Sequence, residues 1–141
     1  MILAFHVNGI PKAQPRVKAY RRGNFVGVFD PGSANEWKAR VAIAARDFAP
    51  PQQLQGPLML EMKFLMPRPK AHYRSNGELR DDPPAHHISK PDLDNLAKAV
   101  MDAISDLGTI WRDDSQVAEV RMSKVYTGCG GGCTIVIKPL L

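Results

Sequence analysis

Only two cysteines, Cys129 and Cys133, occur in 141 residues. That is too few for a disulfide scaffold and fits a reducing cytoplasm. No run approaches the roughly 20 apolar residues of a membrane span. The first residues, Met1-Ile2-Leu3-Ala4-Phe5, have neither the basic region nor the small-residue cleavage site of a secretory signal. Acids are missing from Lys12 to Asn24, where Lys12, Arg16, Lys18, Arg21 and Arg22 stand unopposed. What is present bounds the rest. A hydrophobic content of 44% supplies a core and argues against disorder. The length suits one domain over residues 1–141. A net charge of +5 and a pI near 9.4 favour an anionic partner.

Ile2 to Val7 is apolar and β-prone, a first strand closed by Asn8-Gly9 and Pro11. Pro11 and Pro15 mark Lys12 to Asn24 as a loop. Phe25 to Phe29 reads as a short strand and Asp30-Pro31-Gly32 as a turn. Ser33 as N-cap, with Glu36 three residues on, predicts a capping box that opens a helix over roughly 33–48. Trp37, Val41, Ala44 or Ala45, and Phe48 form its apolar stripe. Leu58, Leu60, Met62, Phe64 and Met66 alternate with their neighbours, giving a strand with one buried face. Residues 67–90 are a long loop containing three histidines. Leu93, Leu96, Val100, Ile104 and Leu107 predict a second helix, stopped by Gly108. Val117 to Tyr126 and Cys133 to Ile137 then make a terminal hairpin around the Gly128–Gly132 turn. The fold class is α/β (α+β): one domain, with a mixed four-stranded sheet in the order β-α-β-α-β-β and two helices packed on it.

Chemistry concentrates in Lys90-Pro91-Asp92-Leu93-Asp94-Asn95-Leu96, with Lys98 just beyond. Between Asp92 and Asp114 six acids (Asp92, Asp94, Asp102, Asp106, Asp113, Asp114) face only Lys98 and Arg112. Carboxylates gathered against their own repulsion often hold a hard divalent cation, and a basic exterior often holds a polyanion. Together they suggest metal-dependent chemistry on nucleic acid. Positions i and i+2 of a regular helix point apart. Asp92 and Asp94 therefore converge only if Asp92 lies before the helix, where Pro91 favours extended geometry and Asp favours the N-cap. The plain alternative stays open: Asp92 a cap, Asp94 the i+4 partner of Lys98, and Asp113-Asp114 a polar turn. The second pair joins the first only if the chain doubles back through Thr109 to Arg112.

Other candidates are weaker. Cys129 and Cys133 lack the further ligands of a zinc site. His86-His87 reads as a solvated loop pair rather than a transition-metal site, and Trp37 and Trp111 as core. The basic stretch, with Tyr20 and Phe25 interleaved, suits phosphate contact.

The run from Lys90 to Lys98, followed by Ile110-Trp111-Arg112-Asp113-Asp114-Ser115-Gln116-Val117, resembles the RusA family of Holliday junction resolvases. That family shows D-x-D-N-L-x-K, a helix, then W-x-D-D-x-Q-V. Gly9-Ile10-Pro11-Lys12-Ala13-Gln14-Pro15-Arg16 resembles its G-x-P-x-x-x-x-R stretch. The resemblance implies metal-binding carboxylates at Asp92, Asp94 and Asp114, with Asp113 the less certain ligand. It also implies a catalytic Lys98, a homodimer and Mg²⁺, with Mn²⁺ as a possible substitute. The long loop before the motif is a departure from short members. Phosphodiester hydrolysis needs an activated water and neutralised phosphate charge, which a carboxylate-held Mg²⁺ supplies; Lys98 is a point charge for the phosphate or the water. The expectation is a cytoplasmic, homodimeric endonuclease that resolves four-way DNA junctions by paired nicks. Lys12, Arg16, Lys18, Arg21, Arg22 and Lys90 are its expected DNA contacts. Two other readings are a non-catalytic DNA-binding phage protein of this fold and a small metal-dependent nucleotide hydrolase. Carboxylates facing phosphate argue against the first, and the basic loop against the second.

Overall fold

The computed structural model describes residues 1–15, 18–29 and 32–141. Among these residues there are eight principal elements: β1 (Leu3–Asn8), β2 (Lys18–Arg22), β3 (Phe25–Phe29), α1 (Asn35–Asp47), β4 (Leu58–Pro67), α2 (Leu93–Leu107), β5 (Val117–Thr127) and β6 (Gly132–Pro139). Four strands form the main sheet in the order β1-β6-β4-β5, with β4 parallel to β5 and the other neighbours antiparallel. This is the expected mixed four-stranded sheet with two helices, but the expected terminal hairpin is not there: β4 lies between β5 and β6, which do not pair with each other among the described residues.

Alternation explains which face is buried. Leu3, Phe5 and Val7 of β1 pair with Ile137, Ile135 and Cys133 of β6, which pair in turn with Leu60, Met62 and Phe64 of β4. All nine are buried and form one core with α1 and α2. Each such side chain taken fully out of water contributes roughly 1.5–3 kcal/mol. α1 supplies Trp37, Val41 and Ala45, while α2 supplies Leu96, Val100 and Ile104 among others. On β5 the same rows end at Val120 and Met122, which are 40% and 39% exposed. The core therefore stops at β4, and the edge strand is covered only in part. Trp37 and Trp111 are both core, as expected; the Trp111 indole N–H donates to Ser105 Oγ at 2.9 Å.

Several expectations are corrected. Residues 18–22 are not loop: β2 and β3 form a two-stranded hairpin outside the main sheet, turned by Gly23-Asn24 between the paired Arg22 and Phe25. Gly23 has φ +56°, the left-handed geometry that a glycine-first two-residue hairpin turn requires. α1 begins one residue later than the capping box predicted. Its N-cap is Ala34, with no side-chain cap, because the Asn35 N–H closes a turn onto the Gly32 carbonyl and leaves Ser33 inside that turn. Glu36 instead pairs with Arg40 at 3.5 Å. Phe48 lies just past the helix, stacked on Phe5 with ring centroids 5.8 Å apart. The expected Asp30-Pro31 turn lies outside the described residues.

The segment after β4 is also more than a loop. It contains a 3-10 turn at Lys70–His72 and then runs along the outer edge of β5. There Tyr126 N–H donates to the Ala85 carbonyl at 2.9 Å and His87 N–H to the Lys124 carbonyl at 3.0 Å. This pairing protects part of an otherwise open edge. α2 follows and ends at Gly108, whose φ of +74° is the left-handed C-cap expected of it.

Candidate active site

The chain around Asp92 is tied down from both sides. Lys124 of β5 donates from Nζ to the Ser89 and Pro91 carbonyls, each at 2.7 Å. On the other side, the Gln14 N–H donates to the Asn95 carbonyl at 3.0 Å. The segment after β1 and the first turn of α2 thus form two walls of one cleft of about 500 Å³. Lys12, Lys90, Asp92, Asn95 and His87 line it, with the ends of the apolar walls between them.

Asp92 is the N-cap of α2, in extended geometry (φ −72°, ψ 145°), as the proline before it favours. Its backbone carbonyl accepts the first helical bond, from Leu96, at 3.1 Å. Its carboxylate caps nothing. The N–H of Asn95, which an N-cap carboxylate ordinarily takes, goes instead to Asp94 Oδ1 at 2.9 Å. Asp92 is thereby left exposed at a helix N-terminus, where the backbone dipole favours negative charge. Asp94 and Lys98 are exposed one turn apart, and among the described residues no ion pair joins them. Asp92 thus occupies the cap position of the plain reading without its side-chain bond, and the Asp94–Lys98 salt bridge of that reading is absent among the described residues.

The second acidic pair is elsewhere. β4 and β5 are parallel, so α2 must run back along the sheet and deliver the chain to the start of β4 before β5 begins. The return segment is fastened there. Leu54 N–H bonds the Ile110 carbonyl at 2.8 Å, and Gln116 Nε2 donates to the Leu54 and Gly56 carbonyls at 3.0 and 3.1 Å. Asp92 meanwhile shares its cleft with Met66 and Pro67 at the far end of β4. The two pairs thus flank α2, whose 15 residues span about 22 Å. Among the described residues no three His, Cys, Asp or Glu side chains of one chain gather closely enough to hold a metal ion. Asp113 is moreover committed to a capping box: its carboxylate accepts from Ser115 N–H at 3.1 Å, while Gln116 Oε1 accepts from Asp113 N–H. The Ser115 hydrogen bond holds the Asp113 carboxyl below its ordinary range. Asp114 is half-buried beside it.

The remaining expected residues scatter. Arg21 and Arg22 are exposed on β2, with Arg21 Nε donating to the Gly23 carbonyl at 3.0 Å. Lys18 begins the same strand. Arg16 lies outside the described residues. His86 is exposed but His87 is not solvated: half-buried, it leans on the Tyr126 ring at 5.0 Å, and burial, then the Lys124 charge, hold its pKa below 6.5. His72 and Arg68 pack on the same ring. Cys133 is buried, its thiol pushed up to about 12, and Cys129 is exposed; both are free. Sequence reasoning missed Lys124, whose importance arises only from its pairing across 33 and 35 residues. It also gave no role to Asn95, although Asn95 sits inside the recognised motif.

Residues 8–138 match the family model described as Endodeoxyribonuclease RusA. The chain belongs to the RusA family. A curated relative is "Uncharacterized protein YqaN" of Bacillus subtilis (strain 168), 33% identical over 127 residues, covering 89% of this chain and 88% of its own. Membership makes the chain a hydrolase of the endodeoxyribonuclease class that acts on Holliday junctions, and RusA-type nucleases are metal-dependent. No helix among the described residues is long and apolar enough to cross a membrane.

Proposed function

We propose that this chain is a homodimeric, Mg²⁺-dependent resolvase that opens four-way DNA junctions by paired symmetric nicks. The observation that carries the reading is the uncommitted Asp92 carboxylate, held at a helix N-terminus in a cleft with Lys12 and Lys90. A carboxylate that makes no cap bond, on a protein of charge +5, supports a role for Asp92 other than capping.

The residues fit Mg²⁺ in one respect and not in another. Mg²⁺ is typically held by one or two carboxylates plus substrate phosphate oxygens and water, which the exposed Asp92 and Asp94 suit. A cage of three carboxylates does not form among the described residues of one chain. Asp114, beyond the other end of α2, would reach the same ion only from a second chain, and that supports reading the protein as a dimer. Asp113, engaged by Ser115, is the poorer ligand. Bound there, the ion would lower the pKa of a water and neutralise charge on the scissile phosphate; Mn²⁺ is a possible substitute. Lys98, which makes no ion pair among the described residues, would hold the phosphate as its charge rises. Lys12, Arg16, Lys18, Arg21, Arg22 and Lys90 would contact the remaining phosphates and make affinity salt-dependent. A C₂ dimer presents two such sites to a substrate that needs two matched cuts. The free thiols suit the cytoplasm.

The test is a plasmid-borne cruciform with and without Mg²⁺. Paired nicks linearise the plasmid, whereas one nick only relaxes it. Linearisation that requires the metal is expected. Tight binding without cutting in Mg²⁺ or Mn²⁺ would favour a DNA-binding role, and equal cutting in excess chelator would remove the metal.

A further inference from the structure

The cleft beside Asp92 is walled by apolar groups that a phosphate cannot use. Ile10, Pro11 and Ala13 come from the segment after β1, Met66 and Pro67 from the end of β4, and Pro91 from the turn into α2. Nothing in the hydrolysis of a phosphodiester asks for such a surface next to a metal-binding carboxylate. A nucleotide, however, has an apolar part, the face of its base. We infer that this cleft receives one nucleobase of the strand being cut, unstacked from its neighbours and lodged beside the phosphate that Asp92 serves. The inference rests on the resolvase reading and adds to it a recognition site.

Three observations support a base as the occupant. The volume, about 500 Å³, lies within the range of small-ligand clefts. The cations are at its lining: Lys12 on one wall and Lys90 on the other suit the phosphates on either side of the lodged nucleotide. And one lining residue offers what a base edge needs. Among the described residues no hydrogen bond engages the side-chain amide of Asn95, although its backbone is fixed by Asp94 Oδ1 and Gln14 N–H. An amide carries two donors and an acceptor and pairs with base edges in a bidentate way. At the crossover of a four-way junction stacking is interrupted, so extracting a base there costs less than from a continuous duplex.

The cleft is also set rather than improvised. Lys124 fixes the Ser89 and Pro91 carbonyls on one side of it, and the His87 ring is braced on Tyr126. The wall that carries Lys90 and His87 belongs to the long segment between β4 and α2, the part of the chain that departs from short relatives. Variation there would change which base is accepted without touching the carboxylates.

The experiment uses four-way junctions carrying the fluorescent base 2-aminopurine at each nucleotide flanking the cut, bound by the full-length Asp94→Asn protein so that nothing is cleaved. Lodging and unstacking should brighten one flanking position, while the same probe placed within an arm stays quenched. Ala13→Phe, which fills the cleft from a half-buried surface position, should abolish the brightening. Asn95→Ala should keep junction binding but reduce discrimination among bases at the bright position by about tenfold or more. Flat fluorescence at every flanking position, with the junction demonstrably bound, overturns the inference. Failure of the wild-type protein to cut any junction, with one position still bright, would instead overturn the resolvase reading and leave the base site standing.

Discussion

Asp92 and Asp113 occupy the same local position and are put to opposite use. Each is the N-cap of a helical turn, and each has extended geometry with ψ close to 145°. Asp113 behaves as the position predicts: it accepts the Ser115 N–H, Gln116 closes the reciprocal half of the box, and the return segment is locked. At Asp92 the competing acceptor is Asp94, whose Oδ1 takes the Asn95 N–H. A second carboxylate two residues on releases the first. Both ends of α2 carry paired acids, but among the described residues only one end leaves its N-cap carboxylate uncommitted. Residue type and local geometry therefore do not decide whether an N-cap aspartate is structural. The decisive question is who else satisfies the amides behind it.

The comparison breaks most visibly on cleavage. Asp92→Asn or Asp94→Asn should lower junction cutting by about 10²-fold or more, since each removes charge from the reacting centre, with binding retained. Asp113→Asn should leave cutting within a few-fold, because an amide oxygen still caps. Equal losses at Asp92 and Asp113 would erase the distinction. Mixing sharpens the test further. If Asp114 serves the ion held by the other chain, a heterodimer of Asp94→Asn and Asp114→Asn proteins keeps one intact site, and nicking returns on mixing two inactive preparations. If both ligands act within one chain, the mixture stays inactive.

Much of this was legible because the signals are local. The apolar stripe of α2, the alternation of β4 and the glycine stop at Gly108 each need only a few neighbouring residues, and each appears where expected. The N-cap at Asp92 followed from Pro91 in the same way. What failed to show is non-local or outvoted. Strand order β1-β6-β4-β5 depends on pairings between distant segments, and its parallel β4–β5 step is what sets Asp114 far from Asp92. The spacing allowed the chain to double back; the sheet sends β5 off from the other end of the helix. Gly23-Asn24 did carry a hairpin signal, masked by Pro11, Pro15 and the run of cations. His87 was read as solvated because its partner, Tyr126, is 39 positions away, a separation no window spans.

A smaller effect is expected at Lys124, the residue that holds the uncommitted end in place. Lys124→Ala removes both bonds to the Ser89 and Pro91 carbonyls. It should reduce turnover or apparent metal affinity by about 10–100-fold, as loss of supporting contacts around a metal site does, with junction affinity nearly unchanged. Lys124→Arg, which can still donate to carbonyls, should recover part of it. The Mg²⁺ midpoint of cleavage is the reading that matters: a merely structural lysine would shift the thermal transition and leave that midpoint alone.

The smallest effect separates the committed carboxylate from the free one by pH. The Asp113 carboxyl is held below its ordinary value of 3.8, first by the Ser115 hydrogen bonds. A depressed carboxyl contributes stability that is present above its unfolded pKa and lost as pH falls through the folded one. The contribution of the Asp113 charge should therefore be whole near neutrality, begin to shrink as pH drops toward 3.8, and vanish below the depressed value. Asp113→Asn keeps a capping oxygen and removes the charge. Its urea midpoint should sit below that of the parent at pH 7 and draw level with it in strong acid. Asp113→Ala, which loses the cap as well, should remain the less stable at both pH values. If the Asn variant lies below the parent by the same margin at both pH values, the Asp113 charge contributes nothing, and the contrast with Asp92 reduces to cap geometry alone.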